Sequence, residues 1–484
     1  MFLREWKFFY KLPIFWIVLA VSWLSLGLGG WNGYKRWSSQ VTQARLLNQQ
    51  FEATLARRQE SLSKIEKAFA SGHPETIRPS NLIWGVTQPQ FISANDPPVS
   101  VLPAAPLGFL ATGRSDTLPR SYTSSAFRGL EPNAPTTDDP VALLIGDFDL
   151  KFVVLAILPL ILVLSCFDLL ATEREDGTLR LLLSQPTSFR RLLLYRASVR
   201  GVLVGVSLLV TIVALAFAVY LASGFIWTGR LAVYTTVSEA YLAFWLLAAV
   251  GVNLLGRSGT SNSLLLGGTW AIMVIFLPGM TPVLAEAISP TPSRALYIDL
   301  ARAARLEFYN AAPDEQGRKL QEQTMLAAFF KRHPEWAKEP NRQSLYLASK
   351  GEEFNLEVEK ITKQFDAARE HQDKISASIS VFSVTATVDQ ILTAISGNSD
   401  ARQATFLRQS LKFFSRQKEY FWPRIFRNEV FRTSQFVEIP RFAFTEPSTQ
   451  EVFQPLLPLG LVFGAWCASL TIITLRQLRI KPKL

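Results

Sequence analysis

Long apolar segments alternate with polar segments along the whole chain, and six of the apolar segments are long enough to cross a membrane. A hydrocarbon core of about 30 Å requires about 20 residues, because an α-helix rises about 1.5 Å per residue. The pattern therefore predicts a polytopic α-helical membrane protein with six transmembrane helices. The predicted spans are 13–31, 151–171, 201–226, 237–255, 263–285 and 455–475.

Two large polar portions separate these spans and predict a domain outside the membrane. The first, 32–150, has a helical amphipathic pattern over 40–70, followed by residues rich in Pro, Gly, Ser and Thr that favour turns and short strands. The second, 286–453, is mostly helical by pattern, with a long amphipathic helix over 345–379. We expect the two portions to form one mainly helical α+β extracytoplasmic domain.

Two stretches of the second portion allow more than one interpretation. Residues 375–395 are fairly apolar, but their Ser and Thr content and Asp389 argue against a lipid-facing span, so we expect a helix near the membrane surface. Residues 402–432 interleave aromatic and basic side chains, a pattern found where proteins bind single-stranded nucleic acid or anionic lipid. An amphipathic helix that packs its aromatic side chains inward explains the same pattern, and outside the cytoplasm we expect no nucleic acid.

The basic residues indicate how the chain is oriented in the membrane. The net charge of +11 comes largely from segments beside the apolar spans. The short loop 172–200 has six Arg against three acidic residues, and the tail 476–484 has four basic residues and no acidic one. Because short loops rich in Lys and Arg stay in the cytoplasm, we expect both termini to be cytoplasmic.

The first residues, 1–12, combine basic and aromatic side chains, which together favour the boundary between lipid headgroups and water. We therefore predict an interfacial N-terminal helix. A secretory signal peptide is the competing interpretation, but the apolar run 13–31 is long and no Ala-x-Ala cleavage site follows it, which favours an uncleaved anchor. The candidate interfacial residues are Arg4, Trp6, Lys7 and Lys11.

Residue types that carry redox or metal chemistry are scarce. Cys166 and Cys467 both lie in predicted spans, so no disulfide framework is expected in the polar portions. The three His residues show no metal-ligand spacing, and we predict no metal site. In the fifth span, Pro278, Gly279 and Pro282 are expected to kink or break the helix, because proline removes a backbone donor and clashes with the preceding turn.

The loop 172–200 divides into two pieces. Acidic residues precede Gly177-Thr178, and a short apolar run then ends at Ser184-Gln185-Pro186, as expected for a short helix with carboxylates at its start and proline at its end. Thr187 or Ser188 can then cap the N-terminus of the next helix. The spacing alone fits a docking element and an ordinary solvated loop equally well.

This loop resembles a known family. Glu-Arg-Glu-Asp-Gly-Thr-Leu, then Leu-Leu-Leu-Ser-Gln-Pro, then Arg-Arg at 190–191 is similar to the cytoplasmic signature of ABC-2-type transporter permeases. The branch with a large extracytoplasmic domain, related to gliding-motility and nitrous-oxide-reductase-maturation permeases, also resembles residues 111–116, 140–149 and 391–423. In that family the loop is a coupling helix that fits a groove on the ATP-hydrolysing subunit. The matching positions are Glu173, Glu175, Gly177, Thr178, Leu179, Leu182, Ser184 and Pro186.

The resemblance implies a permease subunit of an exporter in the bacterial cytoplasmic (inner) membrane, with a large periplasmic domain. Two permease chains, identical or paralogous, would face each other above two ATPase subunits, which bind ATP and Mg, and membrane lipid would surround them. The proline-rich part of the fifth span would then be a candidate kink in the translocation pathway. The sequence contains no Gly-x-x-x-x-Gly-Lys-Ser/Thr phosphate loop, so we expect no ATP hydrolysis and no cofactor on this chain.

Two other functions fit the same chain. ATP-driven motion could be transmitted mechanically to an envelope partner, which the sequence does not distinguish from export of an unidentified substrate. A membrane-anchored envelope enzyme is the second alternative, and it requires a clustered nucleophile and base or a metal constellation. The sequence shows neither cluster, and histidine is rare in it.

Overall fold

The computed structural model is mostly helical. It describes residues 2–72, 85–113, 118–133, 148–179, 181, 184, 188–224, 228–290, 299–300 and 315–479. Within these ranges, six helical segments are long and apolar enough to cross a membrane, which agrees with the number that the sequence predicts. The six segments are Pro13–Ala70, Leu150–Glu175, Phe189–Ser223, Thr228–Leu254, Gly259–Ile288 and Thr449–Arg479.

The described helices are numbered here in chain order. Before the loop 172–200 they are α1 (Phe2–Tyr10), α2 (Pro13–Ala70), α3 (Pro89–Asn95) and α4, which joins Leu150–Phe152, a π-helical Val153–Ile157 and Leu158–Cys166. Next are α5 (Ala171–Glu175), α6 (Phe189–Ser223), α7 (Thr228–Leu254) and α8, which joins Gly259–Trp270, a π-helical Ala271–Phe276 and Leu277–Ile288. The last are α9 (Glu315–Arg332), α10 (Arg342–Ser380), α11 (Val384–Ser396), α12 (Asp400–Phe426), α13 (Thr449–Phe453) and α14 (Leu457–Arg479).

Helix α2 extends far beyond the first predicted span. It continues without interruption for 58 residues, about 87 Å at about 1.5 Å per residue, so it is much longer than a bilayer is thick. The apolar pattern of 13–31 and the amphipathic pattern of 40–70 therefore belong to one helix. Gly33 allows this helix to approach the chain at Phe109 closely, since a Cβ atom at Gly33 would lie 2.1 Å from the Phe109 carbonyl oxygen.

The fourth span begins earlier than the sequence suggested. The predicted span starts at residue 237, but α7 starts at Thr228 and places Arg230 inside a helix. The Arg230 guanidinium is buried and donates a hydrogen bond of 2.9 Å to the Pro447 carbonyl oxygen. Because this partner comes from a distant part of the chain, the charge does not end the helix, and sequence pattern alone could not show this.

Helix α8 passes through its prolines without ending. Pro282 lies inside Leu277–Ile288, and the π-helical turns of Ala271–Phe276 come directly before that segment. A π-helical insertion and a proline are both established causes of helix bending. The predicted break is therefore absent from α8, while the kink at Pro278, Gly279 and Pro282 stays a prediction.

The two polar portions share one hydrophobic core. The second half of α2 contributes Leu55 and Leu62, and it packs with side chains from α9, α10 and α12. The centre of this core is aromatic: the rings of Phe329 and Trp422 lie 5.7 Å apart, and the Trp422 indole donates a hydrogen bond of 2.8 Å to the Ala126 carbonyl oxygen. The aromatic side chains of 402–432 thus point inward, as the amphipathic-helix interpretation requires.

A small antiparallel sheet completes this core region. Its strands are β1 (Val99–Val101), β2 (Ser121–Thr123) and β3 (Glu131–Pro132), in the order β1-β2-β3. Val99 pairs with Thr123, and Tyr122 pairs with Pro132. The Tyr122 ring lies 5.5 Å from the ring of Phe406 on α12, which joins the sheet to the helices. The first polar portion therefore contains the short strands that its composition predicted.

Residues 375–395 divide between the end of α10 and α11, and their position near the membrane surface stays a prediction. Val388, Leu392 and Ile395 of α11 are fully buried in the same hydrophobic cluster as the spans. Just before α11, the Ser383 hydroxyl donates to the carbonyl oxygen of Met273, which lies midway along α8 (3.3 Å). The polar side chains that argued against a lipid-facing helix are satisfied by neighbouring helices, so a short helix can pack among the spans.

Candidate functional site

The residues between α4 and α5 are held in a non-helical turn by two buried asparagines. The Asn253 side chain donates to the Cys166 carbonyl oxygen (2.8 Å) and accepts from the Leu169 backbone N–H (3.2 Å). The Asn262 side chain donates to the Phe167 carbonyl oxygen (3.2 Å). These bonds satisfy backbone groups that leave the helix inside an apolar region, where an unpaired group is costly. The turn carries the chain into α5.

Glu173 on α5 is tied to the next span. It accepts a hydrogen bond of 2.5 Å from Nη1 of Arg196 on α6, and the same nitrogen donates to the Leu169 carbonyl oxygen (2.6 Å). Nε of Arg196 lies 3.6 Å from a carboxylate oxygen of Glu5 on α1. One guanidinium therefore joins the loop, the third span and the N-terminal helix.

Glu175 is tied to the fifth span. Its carboxylate accepts a hydrogen bond of 2.9 Å from the backbone N–H of Gly259, the first residue of α8. A carboxylate at this position satisfies one of the unpaired donors of a helix N-terminus and interacts favourably with the helix dipole. Two of the acidic residues that the sequence singled out therefore anchor the loop to neighbouring spans.

The chain reverses sharply after α5. Gly177 adopts a left-handed conformation with φ of +72°, which glycine reaches at little cost, and no heavy atom lies within 4 Å of the position of a Cβ atom there. The Thr178 hydroxyl donates back to the Glu173 carbonyl oxygen (3.3 Å). Gly177 and Thr178 are both exposed, so this turn presents backbone to the surroundings.

The short apolar helix predicted after the turn is described only in part. Leu179 and Leu181 are helical; Leu179 is buried in the main hydrophobic cluster, whereas Leu181 is 73% exposed. The Ser184 hydroxyl donates to the Leu181 carbonyl oxygen (2.7 Å). Leu182 and Pro186, two of the candidate coupling residues, lie outside the described residues. In the described part, Leu179 is held in the hydrophobic cluster and Leu181 is exposed.

The end of the loop enters α6 as predicted. Ser188 is the N-cap residue, and its hydroxyl accepts from the Arg191 backbone N–H (3.4 Å). Arg190 donates to the Arg479 carbonyl oxygen near the end of α14 (3.2 Å). The loop therefore contacts α6 and α8, and arginines at the start of α6 reach α1 and α14.

The candidate interfacial residues occupy α1. Trp6 is half-buried and packs edge-on against Phe15 of α2, with ring centroids 5.9 Å apart. Lys7 and Lys11 are exposed. The side chain of Arg4 lies outside the described part of the chain. Trp6 contacts protein while the two lysines face outward, and their placement at a lipid boundary stays a prediction.

A second cluster joins the three other stretches that carried the family resemblance. Asp149 accepts hydrogen bonds of 2.8 Å from the backbone N–H groups of both Thr112 and Phe152. The Asn398 side chain donates to the Ala111 carbonyl oxygen (2.5 Å). Residues 114–116 and 140–147 of those stretches lie outside the described ranges. Stretches far apart in sequence thus meet beside the start of α4.

Sequence reasoning missed several residues that build these contacts. Asn253 is a single polar residue near the end of an apolar span, Asn262 ends a polar turn, and Glu5 is one acid in a basic segment. The available signal was the cost of placing an amide in an apolar helix, which indicates a specific partner. The identity of that partner depends on contacts between distant segments.

A family model described as ABC-2 family transporter protein matches residues 2–420, most of the chain. The chain belongs to the ABC-2 transporter family. No curated protein and no solved structure matches it. As an ABC-2-type permease, the chain is a membrane subunit of an ABC transporter, and the family implies an ABC ATPase subunit as its partner. Its nearness to the branch with gliding-motility permeases stays a prediction.

Proposed function

We propose that this permease subunit forms the membrane pathway of an ABC-2-type exporter and that residues 171–188, the coupling loop, receive motion from a separate ATPase subunit. The observation that carries this proposal is the division of the loop into an anchored base and an exposed tip. Glu173, Glu175 and Leu179 form the base, through two charged contacts and one buried side chain. The described residues of the tip are Asp176, Gly177, Thr178, Leu181 and Ser184, all exposed.

The base gives the loop a physical route into the membrane helices. A force on the tip acts on α6 through Glu173 and on α8 through Glu175, because each carboxylate bonds a different span. It also acts on α1 through Arg196 and Glu5. Several helices are therefore displaced together, which is how a local push changes their mutual packing. ATP and Mg bind on the partner, since this chain lacks the phosphate-binding motif.

The orientation and assembly belong to the same proposal. The arginine excess of the coupling loop supports a cytoplasmic location for the loop and both termini, in the inner membrane of a bacterium, with the shared core of the two polar portions on the periplasmic side. Within one chain, 11% of the residues in the most apolar stretch of α8 are buried. In the most apolar stretch of the last span, 6% are buried. Lipid and a second permease chain, identical or paralogous, would cover these faces.

Mechanical transmission to an envelope partner is the second candidate, and α2 favours it. This one helix joins the first span to the hydrophobic core of the polar portions without a break. A continuous helix transmits displacement better than a flexible connection does. Accumulation of a small molecule in cells after loss of the permease would support export, whereas an altered envelope protein without such accumulation would support transmission.

The coupling proposal is tested by replacing an exposed leucine of the tip. The full chain, purified with its ATPase subunit in detergent, is compared as wild type, Leu181→Asp and Leu320→Asp. Leu320 on α9 is similarly exposed, at 65% against 73%, but lies far along the chain in the second polar portion. We expect that Leu181→Asp alone copurifies with less ATPase subunit or stimulates its ATP hydrolysis less. Wild-type stimulation in that variant would contradict the proposal.

A further inference from the structure

An open groove of about 530 Å³ lies between α6 and α7, away from the coupling loop. Its walls are mostly apolar, with one carboxylic acid and three threonines among them. The described residues that line it are Leu209, Ile212, Val213, Thr228, Leu231, Ala232, Thr235, Thr236 and Glu239. The volume is within the range of sites for small organic molecules.

Glu239 lies inside the membrane-spanning length of α7. It is eleven residues from Thr228 at one end of the helix, about 16 Å at about 1.5 Å per residue, and fifteen residues from Leu254 at the other, about 22 Å. The helix is about 40 Å long and the hydrocarbon core is about 30 Å thick, so Glu239 lies at least about 6 Å inside the core if α7 spans it fully. Acidic residues at such depth are rare and mark binding or transport pathways.

One oxygen of the Glu239 carboxyl lacks a hydrogen-bond partner in the described part of the chain, and the other lies close to α6. Oε1 is buried and has no hydrogen-bond partner among the residues that the structure describes. Oε2 lies over Gly205 of α6, where a Cβ atom would be only 2.7 Å away, so any larger residue at 205 would displace the carboxyl. A buried, unpaired carboxylate is costly, which favours a ligand that supplies the missing positive charge.

The threonines add to the preference for a cation. The Thr235 hydroxyl donates to the Leu231 carbonyl oxygen (2.9 Å), and the Thr236 hydroxyl donates to the Ala232 carbonyl oxygen (2.8 Å). Their hydrogens are therefore used within α7, and their oxygens offer only lone pairs. Among the described lining residues no side chain is basic. The side-chain oxygens of Thr235, Thr236 and Glu239 thus act as acceptors, which suit a cation and repel an anion.

We propose that this groove binds a lipophilic organic cation, with Glu239 as its counter-charge and the apolar walls around its hydrophobic groups. Such molecules reach the interior of a bilayer without a headgroup anchor, which matches the depth of Glu239. In the context of the proposed exporter the cation would be cargo or a cargo mimic. The binding itself does not depend on the coupling loop.

The experiment measures binding of tetraphenylphosphonium to the full chain in lipid nanodiscs, without the ATPase subunit. We expect saturable binding to the wild type. Glu239→Gln should weaken it about tenfold or more, as expected for loss of one contact to a charged group, whereas Glu239→Asp should retain part of it. Tetraphenylborate, which has the same shape and the opposite charge, should not compete.

The matched control is Glu286→Gln, the same chemical change at an exposed residue of α8 outside the groove, which should leave binding unchanged. If Glu239→Gln does not fold, Thr235→Val removes one acceptor oxygen while keeping the shape, and it should also weaken binding. Absence of saturable binding to the wild type, equal binding to Glu239→Gln, or equal competition by tetraphenylborate would overturn the proposal. A change in permease dimerisation instead of cation binding would overturn it too, by assigning the groove to a second chain.

Discussion

Arg196 donates a hydrogen bond of 2.5 Å to Glu173, which joins the third span to the coupling loop. The pair is partly buried, with side-chain exposures of 14% for Arg196 and 24% for Glu173. Charged pairs in such positions are screened less by water and salt than exposed pairs are. The contact therefore fixes the base of the loop, and it gives the first prediction.

Arg196→Ala should lower both stability and coupling. It removes the donor to Glu173 and to the Leu169 carbonyl oxygen and leaves the Glu173 carboxylate without this partner. We expect about 1–3 kcal/mol of destabilisation, seen as a lower thermal midpoint, together with reduced ATPase stimulation. Arg190→Ala is the control, because exposed Arg190 contacts the chain at the Arg479 carbonyl oxygen. Equal effects of the two variants would show that Arg196 has no special role.

Glu175→Lys should uncouple the ATPase while membrane insertion stays intact. The substitution removes the acceptor for the Gly259 N–H and places a positive charge at the N-terminus of α8, where the helix dipole is also positive. The lost cap costs about 1 kcal/mol, too little to prevent folding of a six-span protein. Glu419→Lys makes the same change at an exposed residue of α12, outside the coupling loop, and should leave ATPase stimulation unchanged. Wild-type ATPase stimulation in Glu175→Lys would refute the role assigned to the loop base.

Gly33→Ala should destabilise the contact between α2 and the first polar portion. The new Cβ atom would lie 2.1 Å from the carbonyl oxygen of Phe109, a backbone atom that cannot rotate away. Overpacking of this kind costs about 1–3 kcal/mol. Gly27→Ala on the same helix meets no atom within 4 Å, so its thermal midpoint should equal or exceed that of the wild type. Equal midpoints of the two variants would contradict the close approach at Gly33.

Tyr420 should make stability depend on pH in the alkaline range. Burial raises the pKa of Tyr420 from 10.0 to about 12, with the Arg424 guanidinium opposing the shift and Glu438 adding to it. The folded state then keeps the proton where the unfolded chain loses it. Stability is therefore fully present below about pH 10 and falls as the pH rises towards about 12.

Tyr420→Phe removes the titrating hydroxyl, which donates 2.7 Å to the Gln435 carbonyl oxygen. We expect its unfolding midpoint to fall less than that of the wild type between about pH 9 and about pH 11, because less titration is linked to unfolding. Intrinsic fluorescence during denaturant unfolding of the full chain in detergent measures both midpoints. Parallel curves for the two proteins over this range would contradict the assignment.

The sequence predicted features that depend on local pattern. Six spans, the long helix α10 and the Ser188 cap follow from apolar runs, amphipathic spacing and a capping residue. It did not predict the neighbours of α11, because the partners of its few polar side chains lie in distant segments. Asp389 pairs with Lys151 at 2.7 Å, and Thr385 lies 2.9 Å from the Tyr241 hydroxyl. Those partners come from other spans, and no local pattern contains them.

The coupling loop shows the same division between local and distant information. Its motif identified Glu173 and Glu175, and the structure gives both an anchoring role. The motif did not show which groups these carboxylates bond, the Arg196 guanidinium for Glu173 and the Gly259 backbone N–H for Glu175. Burial of Leu179 beside exposure of Leu181 likewise depends on the neighbouring spans.

Photo-crosslinking from the loop tip tests the central claim most directly. A benzophenone amino acid is placed at Leu181, which is 73% exposed, or at Val437, which is 74% exposed in the second polar portion. Cells that express the full chain with its ATPase subunit are irradiated, and adducts are identified by mass spectrometry. We predict an adduct with the ATPase subunit from position 181 and none from position 437. Failure of position 181 to crosslink the ATPase subunit in a complex that still copurifies would contradict the account.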